Sequence, residues 1–343
     1  METKTKAEFI SELEKTILET RELILEKDNK DEWLERYKGY SKALLANKES
    51  IKTNSKFFHE WAPLYFYLSI SNAKIAKTTL TLDVRYRGQK VATLKSKKSV
   101  VTISTKVKVG TNWLFERNNR DFNCNIELDD NWRSEKAKQF RQHFSKNPHR
   151  NTTDNNKRNE EHNIESLLVT ELAKKSSVDK QILNVQTVDF ENFRVSMKTP
   201  VRASKKDVIS YSKQYGGSID ILARTGRGRG TYLTVIEVKD ENKKSEPPLT
   251  ALKQAIRYAV FIRELLRSEI DNEWYKLFGF SGEVPKNKLT IRVACAMPDN
   301  NSDKSFEKMK LPIEDDVLEF HYIYFKYDKE NNQLANFQTS LNL

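Results

Sequence analysis

Apolar residues recur along the first fifty positions at helical spacing. Phe9, Leu13 and Ile17 share one stripe, and Ile10, Ile17 and Ile24 repeat at seven-residue intervals. The pattern predicts a helix over 6–28, a polar break at Lys27-Asp28-Asn29-Lys30, and a second helix over 31–50 carrying Trp33, Leu34, Tyr37, Leu44 and Leu45. This helical hairpin is either a dimerisation element, which would make the protein a homodimer, or a pair packed on its own domain. The stretch 57–70 (FFHEWAPLYFYLSI) is dense in aromatics and reads as buried. From Lys77 the period changes to two. Thr79, Thr81, Asp83 and Arg85 alternate with Leu80, Leu82, Val84 and Tyr86, and short apolar runs continue to Val109 after the turn Arg87-Gly88-Gln89. Alternation of this kind predicts strands with one buried face. Helical spacing returns over 131–144, and the almost wholly polar stretch 145–163 marks a boundary. The predicted organisation is an α+β domain over 1–150 and a second domain over 151–343.

The second domain mixes element types. Ile164, Leu167, Leu168 and Leu172 predict an amphipathic helix over 163–175, and two β-like runs follow at 182–188 and 193–201. One of these runs is expected to supply the first strand of a sheet. Next, SIDILAR and YLTVIEVK flank the turn TGRGRG, the pattern of an antiparallel hairpin. A polar loop precedes this hairpin and a charged one follows it. Pro247 and Pro248 then open a helix over 249–268, since proline is tolerated in a first turn. LTIRVACAM (289–297) and FHYIYFKY (320–327) read as buried strands. The order helix–strand–strand–strand–helix–strand predicts an α/β domain.

Composition narrows the classes. A chain of 343 residues with 17 Phe, 13 Tyr and 5 Trp can build two cores, which excludes wholesale disorder. No apolar run approaches the ~18 residues of a membrane span, and METKTKAEF lacks the apolar centre of a secretory signal. Cys124 and Cys295 are isolated, and the spacing of His143, His149 and His162 fits no compact metal motif. A cytoplasmic protein without a membrane partner is expected. The net charge of +12 is concentrated, because residues 51–150 hold 20 Lys/Arg against 8 Asp/Glu and the rest of the chain cancels. Such a segment predicts a polyanionic partner such as DNA, gripped along its phosphates. Ordinary solubility charge is the alternative. The chain has no G-x-x-x-x-G-K-[ST], so any dependence on ATP would require a partner subunit.

The candidate chemistry sits in the hairpin. Side chains along a strand alternate faces, so Leu233, Val235, Glu237 and Lys239 share one face, and Tyr232, Thr234, Ile236 and Val238 the other. Asp220 stands between Ile219 and Ile221 on the first strand. Ionisable groups on paired apolar strands need partners, since unpaired buried charge is expensive. A divalent cation between Asp220 and Glu237 is one solution, and hard oxygen ligands suit Mg²⁺. The alternative is an acid–lysine pair decorating a sheet edge. Three other D/E-x-K triplets, Glu2-Thr3-Lys4, Asp28-Asn29-Lys30 and Glu241-Asn242-Lys243, lie in polar surroundings. Glu237-Val238-Lys239 instead ends an apolar run, follows a hairpin that carries an Asp, and precedes a helix.

Gly217-Ser218-Ile219-Asp220 and Ile236-Glu237-Val238-Lys239 resemble the two halves of the signature of the PD-(D/E)XK, or restriction-endonuclease-like, nuclease superfamily, with Ile219 where that family often has Pro. The resemblance covers about 160–325 and does not reach the first 150 residues. It implies a restriction-endonuclease-like αβββαβ core with a mixed central sheet flanked by helices. It further implies Asp220 and Glu237 as ligands of Mg²⁺, for which Mn²⁺ can stand in, joined by the backbone carbonyl of Val238. Lys239 would orient the attacking water. A glutamate of the preceding helix would point at the metal: Glu165 by position, with Glu161 and Glu171 as alternatives. Gln254 and Tyr258 resemble the Q-x-x-x-Y of the RecB-like branch, where they support the site or the DNA; a buried Tyr beside a helix Gln is the other reading. Arg224, Arg227 and Arg229 either meet phosphates or serve the turn alone. The expected function is a Mg²⁺-dependent endonuclease on double-stranded DNA, of restriction or phage-defence type. The alternatives are an inert DNA-binding protein on a nuclease-like fold, an RNA-directed nuclease, or a nuclease subunit needing a partner such as an ATPase or methyltransferase.

Overall fold

The computed structural model describes residues 6–55, 64–69, 79–97, 100–106, 108–109, 112–113, 122–146, 157–174, 180–203, 208–213, 216–228, 230–242 and 247–341. Among these the helices are α1 (Lys6–Leu25), α2 (Lys27–Ala46), α3 (Lys48–Ser55), α4 (Glu135–Ser145), α5 (Lys157–Ala173), α6 (Pro248–Leu265) and α7 (Asp271–Leu277). The strands of the first half are β1 (Leu64–Ser69), β2 (Thr79–Tyr86), β3 (Gln89–Lys97), β4 (Val100–Ser104), β5 (Lys108–Val109), β6 (Asn112–Trp113) and β7 (Asp129–Asn131). Those of the second are β8 (Val185–Thr187), β9 (Asp189–Phe190), β10 (Phe193–Ser196), β11 (Lys198–Thr199), β12 (Val201–Arg202), β13 (Ser210–Tyr211), β14 (Gly217–Ser218), β15 (Ile221–Arg227), β16 (Gly230–Val238), β17 (Thr290–Pro298), β18 (Lys310–Ile313), β19 (Asp316–Asp328) and β20 (Gln333–Thr339). The class is mixed α/β. No described helix is long and apolar enough to cross a membrane.

Two compact units result, and they do not divide at residue 150. One comprises Met1–Ser41, Leu167–Val188 and Ser196–Leu343; the other comprises Lys42–Ser166 and Asp189–Val195. The reason is the apolar stripe of the first two helices. Trp33 packs edge-on against Phe261 at 5.5 Å, and Tyr37 lies 4.9 Å from Phe261 and 5.6 Å from Trp274. Tyr37 also donates its hydroxyl to the carbonyl of Lys198 at 2.5 Å. Full burial of such side chains is worth ~1.5–3 kcal/mol each, enough to tie α1 and α2 to the C-terminal half across a long polar stretch. A linker shows where a core is lacking, not which core the flanking helices join.

The unit containing most of the basic segment is built on a sheet of order β7-β4-β3-β2-β1-β10-β9. The alternating residues of β2 bury Leu82, Val84 and Tyr86. Helix α4 places Phe144 4.8 Å from Tyr86, and its first turn is capped by Ser134, whose hydroxyl accepts from Ala137 N at 3.2 Å.

The other unit holds a sheet of order β18-β19-β17-β16-β15-β8, with β20 also pairing β19. The predicted hairpin is β15–β16, in antiparallel register from Ile221↔Ile236 to Arg227↔Gly230, with Gly228 at φ 54° in the turn. Strand β17 runs parallel to β16 and to β19. A parallel pair needs a crossover, and α6 supplies it, packing on β16 and β17 with α1 against its other side. At one end of β19 the buried carboxylate of Asp316 accepts from Arg263 Nε at 2.7 Å, Arg267 Nε at 2.8 Å and Leu289 N at 2.7 Å.

Candidate metal centre

Strand β16 ends on the face-to-face alternation that sets the chemistry. Lys239 extends it by one residue, donating its N–H to the carbonyl of Ala296 at 2.9 Å. Glu237 and Lys239 therefore share a face. Glu237 is 0% exposed and Lys239 5%, and Nζ donates to Oε1 at 2.8 Å. Asp220 is not inside a strand; it occupies the bend immediately before β15. The register that pairs Ile221 with Ile236 brings it beside the end of β16, where Oδ2 accepts from Val238 N at 2.9 Å. The N–H and C=O of one extended residue point to the same side, so the Val238 carbonyl is turned toward Asp220 as well.

Carboxylate oxygens of Asp220 and Glu237 lie within 4.8 Å of one another. Helix α5 carries Glu161 one turn before Glu165. Glu165 is buried and committed elsewhere, 3.1 Å from His162 Nδ1 and 3.9 Å from Arg85. Glu171 accepts from Gln181 N at 2.6 Å and pairs with Lys174. Converging carboxylates repel one another, and a hard divalent cation is the partner that best offsets the repulsion. The donor set thus suits a hard divalent cation.

Gln254 and Tyr258 lie one turn apart on one face of α6. Tyr258 is 2% exposed. Burial, and then the negative charge of Glu237 and Asp220, push its hydroxyl well above the ordinary phenol range, and Gln254 only partly offsets this. The group stays protonated at neutral pH and can donate.

The hairpin arginines lie away from the carboxylates. At ~3.3 Å per residue, Arg224 and Arg227 are ~13 and ~23 Å along the strand from Asp220. Arg224 Nη1 donates to the carbonyl of Gly279 at 2.5 Å, and Arg227 Nε to Asn184 Oδ1 at 2.6 Å. Both brace turns. Arg229 and His149 lie outside the described residues.

One supporting residue carries no mark in the sequence. Asn242 is 3% exposed, and its Nδ2 donates to the carbonyls of Pro298 at 2.7 Å and Asn301 at 2.8 Å. It fastens the chain just after Lys239 to the end of β17. An Asn inside a charged loop gives no signal of such a role. No family model, no curated protein and no solved structure matches the chain, so the site rests on its own geometry.

Proposed function

We propose that this chain is a Mg²⁺-dependent nuclease of the PD-(D/E)XK type that hydrolyses phosphodiester bonds in DNA. The observation that carries the reading is the convergence of Asp220, Glu237 and Lys239 where β15 and β16 meet. The order α5–β8–β15–β16–α6–β17 supports an αβββαβ core, the short strands β9–β14 being inserted between β8 and β15. The 20 Lys/Arg against 8 Asp/Glu of residues 51–150 support a polyanionic substrate.

Asp220 and Glu237 would hold the cation, with the Val238 carbonyl turned to the same side. A cation bound there lowers the pKa of water and offsets charge on the scissile phosphate. The protein's own groups do the rest. Lys239 presents an ammonium with three donors, already oriented by Glu237, to an attacking water and a phosphate oxygen. Asp220 is fixed by the Val238 amide, so its carboxylate is held at a defined place. Tyr258 stays neutral beneath the carboxylates and adds no negative charge to them.

The test is incubation of the full chain with supercoiled plasmid in Mg²⁺ or EDTA, beside Asp220→Ala and Lys239→Ala. Metal-dependent nicking lost in both variants supports the reading. Cleavage that survives both substitutions places the chemistry elsewhere.

A further inference from the structure

The bend that carries Asp220 is gripped from two sides. On one side, β14 pairs with β11 through Lys198↔Ser218 and Thr199↔Gly217. Ile219 N adds a bond to the carbonyl of Met197 at 3.0 Å, and Gly216 N one to that of Thr199 at 3.0 Å. On the other side stands α6. A Cβ at position 217 would lie 2.8 Å from Cε1 and Cζ of Tyr258, and closer still to its hydroxyl. Gly217 does not have positive φ, so clearance alone requires glycine there. Tyr258 has no room to retreat, being 2% exposed.

We infer that Gly217 and Tyr258 form a positioning pair: the phenol bears directly on the bare backbone of Gly217 and fixes, three residues on, where the Asp220 carboxylate stands against Glu237. This rests on the nuclease reading for its purpose, but the contact itself is metal-free. A methyl group at 217 must gain ~0.7 Å to reach the ~3.5 Å of ordinary carbon contact. The β14–β11 ladder holds 217 and 218 in register, so the displacement passes along the chain to Asp220. Its 2.9 Å bond to Val238 N leaves little slack before a hydrogen bond is lost. Neither residue touches the reacting atoms in this scheme.

The experiment measures Mn²⁺ binding to the full chain from the free-Mn²⁺ paramagnetic resonance signal, with thermal melting of every variant. The proteins are wild type, Asp220→Ala, Gly217→Ala, Tyr258→Leu and Gly217→Ala/Tyr258→Leu. Asp220→Ala is expected to abolish binding, and Gly217→Ala to weaken it at least tenfold while remaining folded at the assay temperature. Adding Tyr258→Leu, which removes the atoms that collide, is expected to recover most of that loss. A Gly217→Ala protein that melts lower yet binds Mn²⁺ like wild type overturns the inference, as does a double variant no better than Gly217→Ala. If wild type and Asp220→Ala bind alike, the metal-centre reading fails instead.

Discussion

The pair Glu237–Lys239 sets stability against function in a way that can be measured. Lys239→Met keeps most of the apolar stem and removes an ammonium 2.8 Å from a carboxylate that is 0% exposed. At that separation and an effective dielectric of 20 the lost attraction is ~6 kcal/mol, and part of it returns because the ammonium need no longer be desolvated. A net cost of ~3–5 kcal/mol is expected, the usual result of removing one partner of a buried pair. For a unit of this size that is a fall in Tm of roughly 6–20 °C. Adding Glu237→Gln removes the second charge, so the double variant should stand within ~1–2 kcal/mol of wild type. The assay is urea unfolding in EDTA followed by tryptophan fluorescence, since Trp33 and Trp274 are buried in this unit. Both variants should lack nuclease activity, yet they should differ toward metal. Lys239→Met retains Mn²⁺ binding, because a repelling cation has gone, whereas Glu237→Gln loses it. A Lys239→Met protein within about 0.5 kcal/mol of wild type, the range of ordinary surface changes, would refute the idea that the two groups form a buried ion pair.

Asp316→Ala removes the acceptor shared by Arg263, Arg267 and the Leu289 amide, and should cost ~3–5 kcal/mol in the same unfolding assay while leaving Mn²⁺ affinity unchanged. Stability should also fall with acidification in two stages. His321 is 0% exposed, and burial lowers its pKa from the ordinary 6.5, so the unfolded chain takes up a proton first and stability is lost as pH drops below that value. Glu319, its hydrogen-bond partner, is lowered to about 2, so its contribution is present above about 4.5 and is lost as pH falls toward about 2. Tm measured between pH 8 and 3 checks the sign; His321→Gln should flatten the upper part of the curve.

How much of this was legible in the sequence depends on whether the information is local. The hairpin β15–β16 could be read because its two strands and turn carry their own signals: apolar alternation, and glycines that accept positive φ, as Gly228 does. Helix α6 could be read because two prolines mark its start. Strand β20 could not, because QLANFQT has few apolar positions and lies mostly exposed. Nor could β18 and α7, which are short: β18 has four residues folded back on β19, and α7 packs Trp274 against the distant Tyr37. The first two helices were readable as helices, but their allegiance was not. Nothing in the spacing of Trp33 and Tyr37 says that their rings meet Phe261.

The same limit governs the candidate site. Strand alternation by itself puts Glu237 and Lys239 on one face, because that geometry needs only neighbours two residues apart. Periodicity cannot choose between Glu161 and Glu165, which lie four residues apart on one helical face and differ by ~6 Å along the axis. What engages Glu165, namely Arg85 and His162, leaves no trace in that periodicity. Asp220 itself lies outside β15, at the bend before it, so its approach to Val238 depends on strand register and on the clearance at Gly217. Residue identity could suggest which groups carry the chemistry. Where each one stands is decided by contacts that no local pattern records, and those contacts are where substitutions will separate a folded protein from a competent one.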